Sequence, residues 1–323
     1  MKKLIKIIFA FLLILTIPSC TKKEEKFLLR GNLSNETLVS VDNYTLKGMI
    51  ENEESFVLVV LLSTCSTCEN YKTSVLNPFI KETHSTIYSI DLTDLQTSDN
   101  YENKPYAKVA PTTFIYNKGD NVATLKYENG EKEFSDLDSF KGYMSNYVIT
   151  PRLIEISEIK LDEKIQAQES FVLYIGWNKC GDCSMLEREV LNKYLLNNEL
   201  SVNFYYLESD PYRINKPKEE PILPENANAD QIEEYNIQKQ YWDMWINFSK
   251  KYNFNSFRNG RVPTLQYYEN GIMKNMIVYN NDVVENGVVV DSYYDELDGK
   301  NISIEELLNT HNNKVEEFLN LYK

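Results

Sequence analysis

Glu54-Ser55-Phe56-Val57-Leu58 is followed by Cys65-Ser66-Thr67-Cys68 and then by Val75-Leu76-Asn77. The same order returns as Glu169-Ser170-Phe171-Val172-Leu173, Cys180-Gly181-Asp182-Cys183 and Val190-Leu191-Asn192. Each element of the second set stands 115 residues after its counterpart, without a gap. An apolar run, a Cys-x-x-Cys and an amphipathic segment, repeated in register, mean that the chain holds one domain type twice.

The runs Phe56–Leu62 and Phe171–Ile175 have strand length and no polar alternation, as expected of strands buried on both faces. After each cysteine pair the apolar positions take a helical period, as in Met185, Leu186, Val190, Tyr194 and Leu195. Further strands are expected at Thr86–Leu92 and Val202–Leu207. A second matched block follows. Val109-Ala110-Pro111-Thr112 aligns with Arg261-Val262-Pro263-Thr264, now at an offset of 152. The second copy therefore carries about 37 more residues between its cysteines and its proline.

That insertion is expected at Asp210 to Gln238. Pro211, Pro217, Pro221 and Pro224 make its start irregular. From Ala229 the pattern is helical, and Ile232, Tyr235, Tyr241, Trp242, Trp245, Ile246 and Phe248 give a broad aromatic face. Such a face packs on one of the two domains or shapes a partner-binding rim. Terminal helices are expected over Asp136–Val148 and Ser303–Tyr322, the second with Ser303 as N-cap. The domains divide at Thr150-Pro151, giving units over 27–150 and 151–323.

The N-terminus has the form of an export signal: Lys2, Lys3 and Lys6 precede an apolar stretch, Ile7 to Leu15, too short for a stable span. Ile17-Pro18-Ser19-Cys20 resembles a bacterial lipoprotein box. This reading makes 1–19 a signal peptide, Cys20 the lipidated residue and 20–26 a charged tether. Acyl chains on Cys20 would then hold the protein at a bacterial cell membrane, facing the extracytoplasmic space. Removing three lysines takes the formal charge from −14 to −17. So acidic a chain is poorly suited to nucleic acid or to a polybasic membrane contact.

Strand, Cys-x-x-Cys at a helix start, strand, helix, then X-Pro-Thr opening a hairpin and a last helix: both copies resemble the thioredoxin-like superfamily. The resemblance implies an α/β fold with two tandem domains, each a central mixed sheet flanked by helices. It implies that Cys65 and Cys180 attack disulfides while Cys68 and Cys183 resolve the mixed disulfide. It also implies that Pro111 and Pro263 are cis prolines and that Ala110 and Val262 before them face substrate. The chemistry suits the pattern. A thiolate is the nucleophile, a helix N-terminus favours it, and a thiol three residues on can displace the partner.

Two departures bear on mechanism. The family's tryptophan before the first cysteine is here Thr64 or Lys179; Trp177 lies three residues before Cys180. The family's buried carboxylate, six residues before that cysteine, is Val59 or Tyr174, which leaves proton transfer to water. Lys179 favours a Cys180 thiolate and Asp182 opposes it, while Ser66 and Thr67 can donate to a Cys65 thiolate. A four-thiolate zinc site is disfavoured by the long separation of the pairs, and two histidines are too few for a histidine site. No metal and no cofactor is expected.

The functional expectation is a membrane-anchored thiol–disulfide oxidoreductase acting on exported cysteine-containing proteins, with a redox partner that recycles it. The alternatives are a non-catalytic binding or assembly lipoprotein with structural disulfides and a maturation factor dedicated to one client.

Overall fold

The computed structural model describes residues 25–97, 100–128, 131–256, 259–279, 284–285, 288–289 and 304–323. The signal segment 1–19, Cys20 with most of its tether, and Ser303 lie outside the described residues.

The first unit contains β1 (Phe27–Leu28), β2 (Gly31–Asn32), β3 (Val39–Ser40), β4 (Phe56–Leu61), β5 (Tyr88–Asp91), β6 (Thr112–Asn117), β7 (Asp120–Lys126) and β8 (Val148–Ile149). Five of these form one sheet in the order β3-β5-β4-β6-β7. The apolar run of β4 lies at its centre, parallel to β5 and antiparallel to β6, with Leu58 opposite both Tyr88 and Phe114. Successive side chains point to opposite faces, so β4 feeds two cores. Val57 and Val59 pack with Tyr71, Phe79 and Phe140, while Leu58 and Val60 pack with Leu46, Ile90 and Phe114. A strand buried on both faces needs apolar residues at every position, which is why this one shows no alternation.

The second unit repeats the plan with β9 (Ile154–Glu155), β10 (Phe171–Gly176), β11 (Asn203–Glu208), β12 (Thr264–Glu269) and β13 (Ile272–Val278). Its sheet has the order β13-β12-β10-β11-β9-β2, so a strand from the start of the chain forms its edge. Gly31 lies opposite Ile154, and the Leu33 amide donates to the Glu155 carbonyl at 2.8 Å. The same segment also reaches the first unit: the Asn32 amide donates to the His84 carbonyl at 2.9 Å, and the Thr86 amide to the Arg30 carbonyl at 2.7 Å. β1 pairs with β8 close by. The stretch 27–33 is thus a seam stitched to both units. A side chain at Gly31 would meet the Pro151 ring, its Cβ 2.5 Å from Pro151 Cβ.

Helices precede both central strands, and each has a side-chain cap. Asp42 caps Asn43–Glu51 by accepting from Thr45, and Ser157 caps Glu158–Gln166 by accepting from Lys160. Such caps satisfy amides that the first helical turn leaves unpaired. Between β11 and β12 stands the 23-residue helix Ala229–Lys251, opened by a capping box of Asn228 and Gln231. Its aromatic face packs on its own unit. Trp245 and Phe248 are buried in one cluster with Phe171, Leu173 and Tyr252. Its N-terminal half leaves Ile232 and Ile237 exposed. The terminal helix Ile304–Asn320 buries Val315, Phe318 and Leu319.

Candidate functional site

Each cysteine pair opens a short helix whose first cysteine is the N-cap. Cys65 precedes Ser66–Tyr71, and its sulfur accepts the Cys68 amide at 3.1 Å. Cys180 precedes Gly181–Leu186, and its sulfur accepts the Cys183 amide at 3.4 Å. An extended N-cap followed by helical residues turns the first sulfur toward free N–H groups, while the second cysteine falls on the buried side of the first turn. Cys65 and Cys180 are accordingly half-buried, and Cys68 and Cys183 are buried. Cys65 and Cys68 form a disulfide; Cys180 and Cys183 are thiols.

The proline loops lie against these sulfurs. Both Ala110–Pro111 and Val262–Pro263 are cis peptide bonds. The Cys65 sulfur lies 3.7 Å from the Ala110 carbonyl oxygen, and the Cys180 sulfur 4.0 Å from that of Val262. The threonine after each proline fastens its loop. Thr112 donates to the Val109 carbonyl at 2.8 Å, and Thr264 to that of Arg261 at 2.5 Å. The two sequence blocks that repeat at different offsets thus converge on one place in each unit.

At the second pair the electrostatics separate the two sulfurs. The Cys180 thiol is lowered to about 7, chiefly by a hydrogen bond from the Cys183 side chain and also by the Cys183 amide, against burial and the charge of Asp182. Cys183 is pushed far up, first by its hydrogen bond to Cys180 and then by burial. The pair therefore presents one ready thiolate and one retained proton. The Lys179 ammonium lies 3.8 Å from Asp210. At the first pair, the Cys65 sulfur takes its helix-end hydrogen bond from the Cys68 amide.

Around Cys180 and Cys183 the fold adds contacts that spacing along the chain does not give. The Trp177 amide donates to the Cys183 sulfur at 3.4 Å, and its indole donates to Asp210 at 2.7 Å. The Arg213 guanidinium lies over the rings of Trp177 and Trp245, at 5.6 and 5.3 Å, and is attracted to both cysteines. Behind Cys183, the Tyr174 hydroxyl donates to Glu187 at 2.9 Å. A carboxyl group is thus present after all, delivered by the helical side of the site instead of the strand. Glu187 lies on a wide π-type turn, Glu187–Leu191, which directly continues the cysteine helix. Only the 115-residue offset, which pairs Glu187 with Lys72, hints that the two sites differ there.

Among the described residues no group of three His, Cys, Asp or Glu could hold a metal ion, and no helix is long and apolar enough to cross a membrane.

No protein-family model and no curated protein sequence matches the chain. Solved structures similar to it include thioredoxin O2 from Arabidopsis thaliana in the oxidized state, at 19% identity, covering 39% of this chain and 82% of that one, with a TM-score of 0.20. The zinc-bound form of human ERp44 is 12% identical over 88% of this chain and 68% of that one, with a TM-score of 0.24. The first two thioredoxin domains of Saccharomyces cerevisiae Eps1p are 10% identical over 77% and 94%, with a TM-score of 0.21. Within the chain itself, strand order, a cysteine pair capping a helix and a cis proline facing that pair occur twice: the protein carries two tandem thioredoxin-like folds.

Proposed function

We propose that this protein is a thiol–disulfide oxidoreductase, held by lipid on Cys20 at the outside of a bacterial membrane and acting on exported cysteine-containing proteins. One observation carries the catalytic part: Cys180, half-buried, caps the helix that buries Cys183, and its sulfur lies 4.0 Å from the carbonyl oxygen before cis Pro263. The anchor and the clients rest on the N-terminal sequence alone.

In the reducing direction, the Cys180 thiolate attacks one sulfur of a client disulfide. A Cys180–client mixed disulfide forms, and the other client sulfur leaves as a thiolate. Cys183 then loses its proton and attacks the Cys180 sulfur, releasing the second client thiolate. Two electrons pass to the client, and the Cys180–Cys183 disulfide remains for a dithiol partner to reduce. The oxidising direction is the reverse, starting from a disulfide such as Cys65–Cys68. The backbone edge beside each cis proline offers an extended client segment a place to lie across the sulfurs.

The test is turnover of a disulfide-bonded model protein by the full chain with a small dithiol as electron source. The parent should accelerate reduction, and Cys65→Ser with Cys180→Ser should abolish the acceleration. A double variant as active as the parent would refute the reading.

A further inference from the structure

Three cations gather around the second cysteine pair. Arg213 ends the short helix Asp210–Arg213, and the Lys216 amide donates to its carbonyl at 3.2 Å, so one turn carries both. Both lie on the aromatic face of the helix Ala229–Lys251. The Arg213 guanidinium stands 5.3 Å from the Trp245 ring, and the Lys216 ammonium 4.5 Å from that of Trp242. Arg213 is also 5.6 Å from the ring of Trp177, whose amide donates to the Cys183 sulfur at 3.4 Å. The third cation is Arg261. The Trp245 indole donates to the Asn259 carbonyl at 2.9 Å, which brings the chain to the edge of that ring two residues before Arg261. Val262 comes next, its carbonyl oxygen 4.0 Å from the Cys180 sulfur, and then cis Pro263.

These cations are positioned but not neutralised. Among the described residues, none of the three has a carboxylate within ion-pair distance. The Lys216 ammonium donates to the Pro217 carbonyl at 2.9 Å, and Arg213 Nε is buried with no hydrogen-bond partner among the described residues. Burial, and then the Arg213 charge, lower Lys216 to about 8, as befits a cation short of a counter-charge. Asp210 is held elsewhere, accepting from the Trp177 indole at 2.7 Å and facing Lys179 at 3.8 Å. In a chain of formal charge −14, such a grouping is not the background. The first pair is set differently. Val109 stands where Arg261 does, and Glu69, Asp91 and Lys72 line the cleft at Cys65 and Cys68.

We infer that this rim makes the second site selective for acidic client segments, in which Asp or Glu flanks the reactive cysteine. The inference rests on the exchange reading above and names the substrate class of its second site. The client lies extended along the cis-proline edge, and its carboxylates meet Arg213, Lys216 and Arg261. The two arginines offer planar donor forks that hold a carboxylate through paired hydrogen bonds. The rings beneath Arg213 and Lys216 hold those cations in place before the client arrives, which lowers the ordering cost of binding. An incoming carboxylate also relieves the repulsion among three like charges.

The test uses the reduced full chain carrying Cys20→Ser, Cys65→Ser and Cys68→Ser, so that the second pair alone reacts. Each probe peptide holds one cysteine in a disulfide with thionitrobenzoate, flanked by glutamates, glutamines or lysines. The Cys180 thiolate attacks the peptide sulfur, a Cys180–peptide disulfide forms, and the coloured thionitrobenzoate leaves with the electron pair of the broken bond. The glutamate peptide should react on the order of 10-fold faster than the glutamine peptide, and the lysine peptide more slowly than either. Arg213→Gln, Lys216→Gln and Arg261→Gln should each cut the glutamate-to-glutamine rate ratio about threefold. Arg213→Lys, which keeps the charge, should retain most of it. Because the ratio is read within each variant, a general loss of reactivity does not imitate a loss of selectivity. Equal rates for the three peptides would overturn the inference, as would a preference that every variant keeps. Equal rates together with binding of the same chain to phosphatidylglycerol vesicles would give the rim to a membrane instead. Absence of release from every peptide by the parent would refute the exchange reading itself.

Discussion

The sulfur of Cys180 accepts the backbone amide of Cys183 at 3.4 Å, so the nucleophile is also the cap of the helix that carries its partner. Capping, thiolate stabilisation and proximity of the resolving thiol are three consequences of one local geometry.

Cys180 should titrate far below an ordinary thiol. Its alkylation rate should rise with a midpoint near pH 7, against an ordinary value of 9.0. Folding depresses this pKa, so its contribution to the stability of the reduced protein is complete above the ordinary value and fades as pH falls through the folded one. The stability difference between the parent and Cys180→Ser should therefore be larger at alkaline than at mildly acidic pH. Equal differences at both would contradict the lowered value.

Asp182 opposes the Cys180 thiolate. Asp182→Asn should move the alkylation midpoint to lower pH. Lys179→Met should move it less, since that ammonium faces Asp210 at 3.8 Å. The reverse order of effects would show that the lysine serves the thiolate.

The seam at Gly31 leaves no room for a side chain. A Cβ there would stand 2.5 Å from Pro151 Cβ. Gly31→Ala should destabilise the protein by about 1–3 kcal/mol, as overpacking does. Denaturant unfolding measures this, and a loss below about 0.5 kcal/mol would show that the edge strand β2 contributes little.

The aromatic face of Ala229–Lys251 is core. Trp245 is fully buried, and its indole donates to the Asn259 carbonyl at 2.9 Å. Trp245→Ala should cost about 3–5 kcal/mol. Ile237, 49% exposed on the same helix, should tolerate Ala within about 0.5 kcal/mol. Comparable losses for the two would mean that the exposed half is also covered.

The parts of this fold that are legible in the sequence are those whose signal is local and repeated. β4 and β10 are apolar throughout because both faces are covered, and the cysteine pairs and X-Pro-Thr blocks recur in order. The helix from Ala229 begins where its apolar period begins. The two helices before the central strands were not read, though Asp42 and Ser157 cap them: the second has a narrow apolar stripe, with Leu161 the one buried residue of Glu158–Gln166, while Asn43–Glu51 buries Leu46, Met49 and Ile50. The seam was not legible. A two-residue strand such as Gly31–Asn32 has no period, and its partner lies over a hundred residues away.

The site divides along the same line. Cys65, Cys68, Cys180 and Cys183 announce themselves by spacing. Glu187, Arg213 and Asp210 do not, because only the folded packing sets Glu187 on the Tyr174 hydroxyl, Asp210 on the Trp177 indole and Arg213 over the Trp177 ring. The sequence suggested that Lys179 would act on Cys180 because it is adjacent. In space its ammonium also lies 3.8 Å from the Asp210 carboxylate. Adjacency along the chain is a weak guide to electrostatics when side chains of that length can turn to either neighbour.

The most direct test of the central claim is a redox titration of the full chain. The protein would be equilibrated in graded thiol–disulfide buffers and alkylated, and each pair would be read by mass spectrometry. The exchange reading expects Cys180–Cys183 to titrate between about −120 and −270 mV, the range of enzymes that trade disulfides. Both pairs remaining oxidised below about −300 mV would mark them as structural and contradict it.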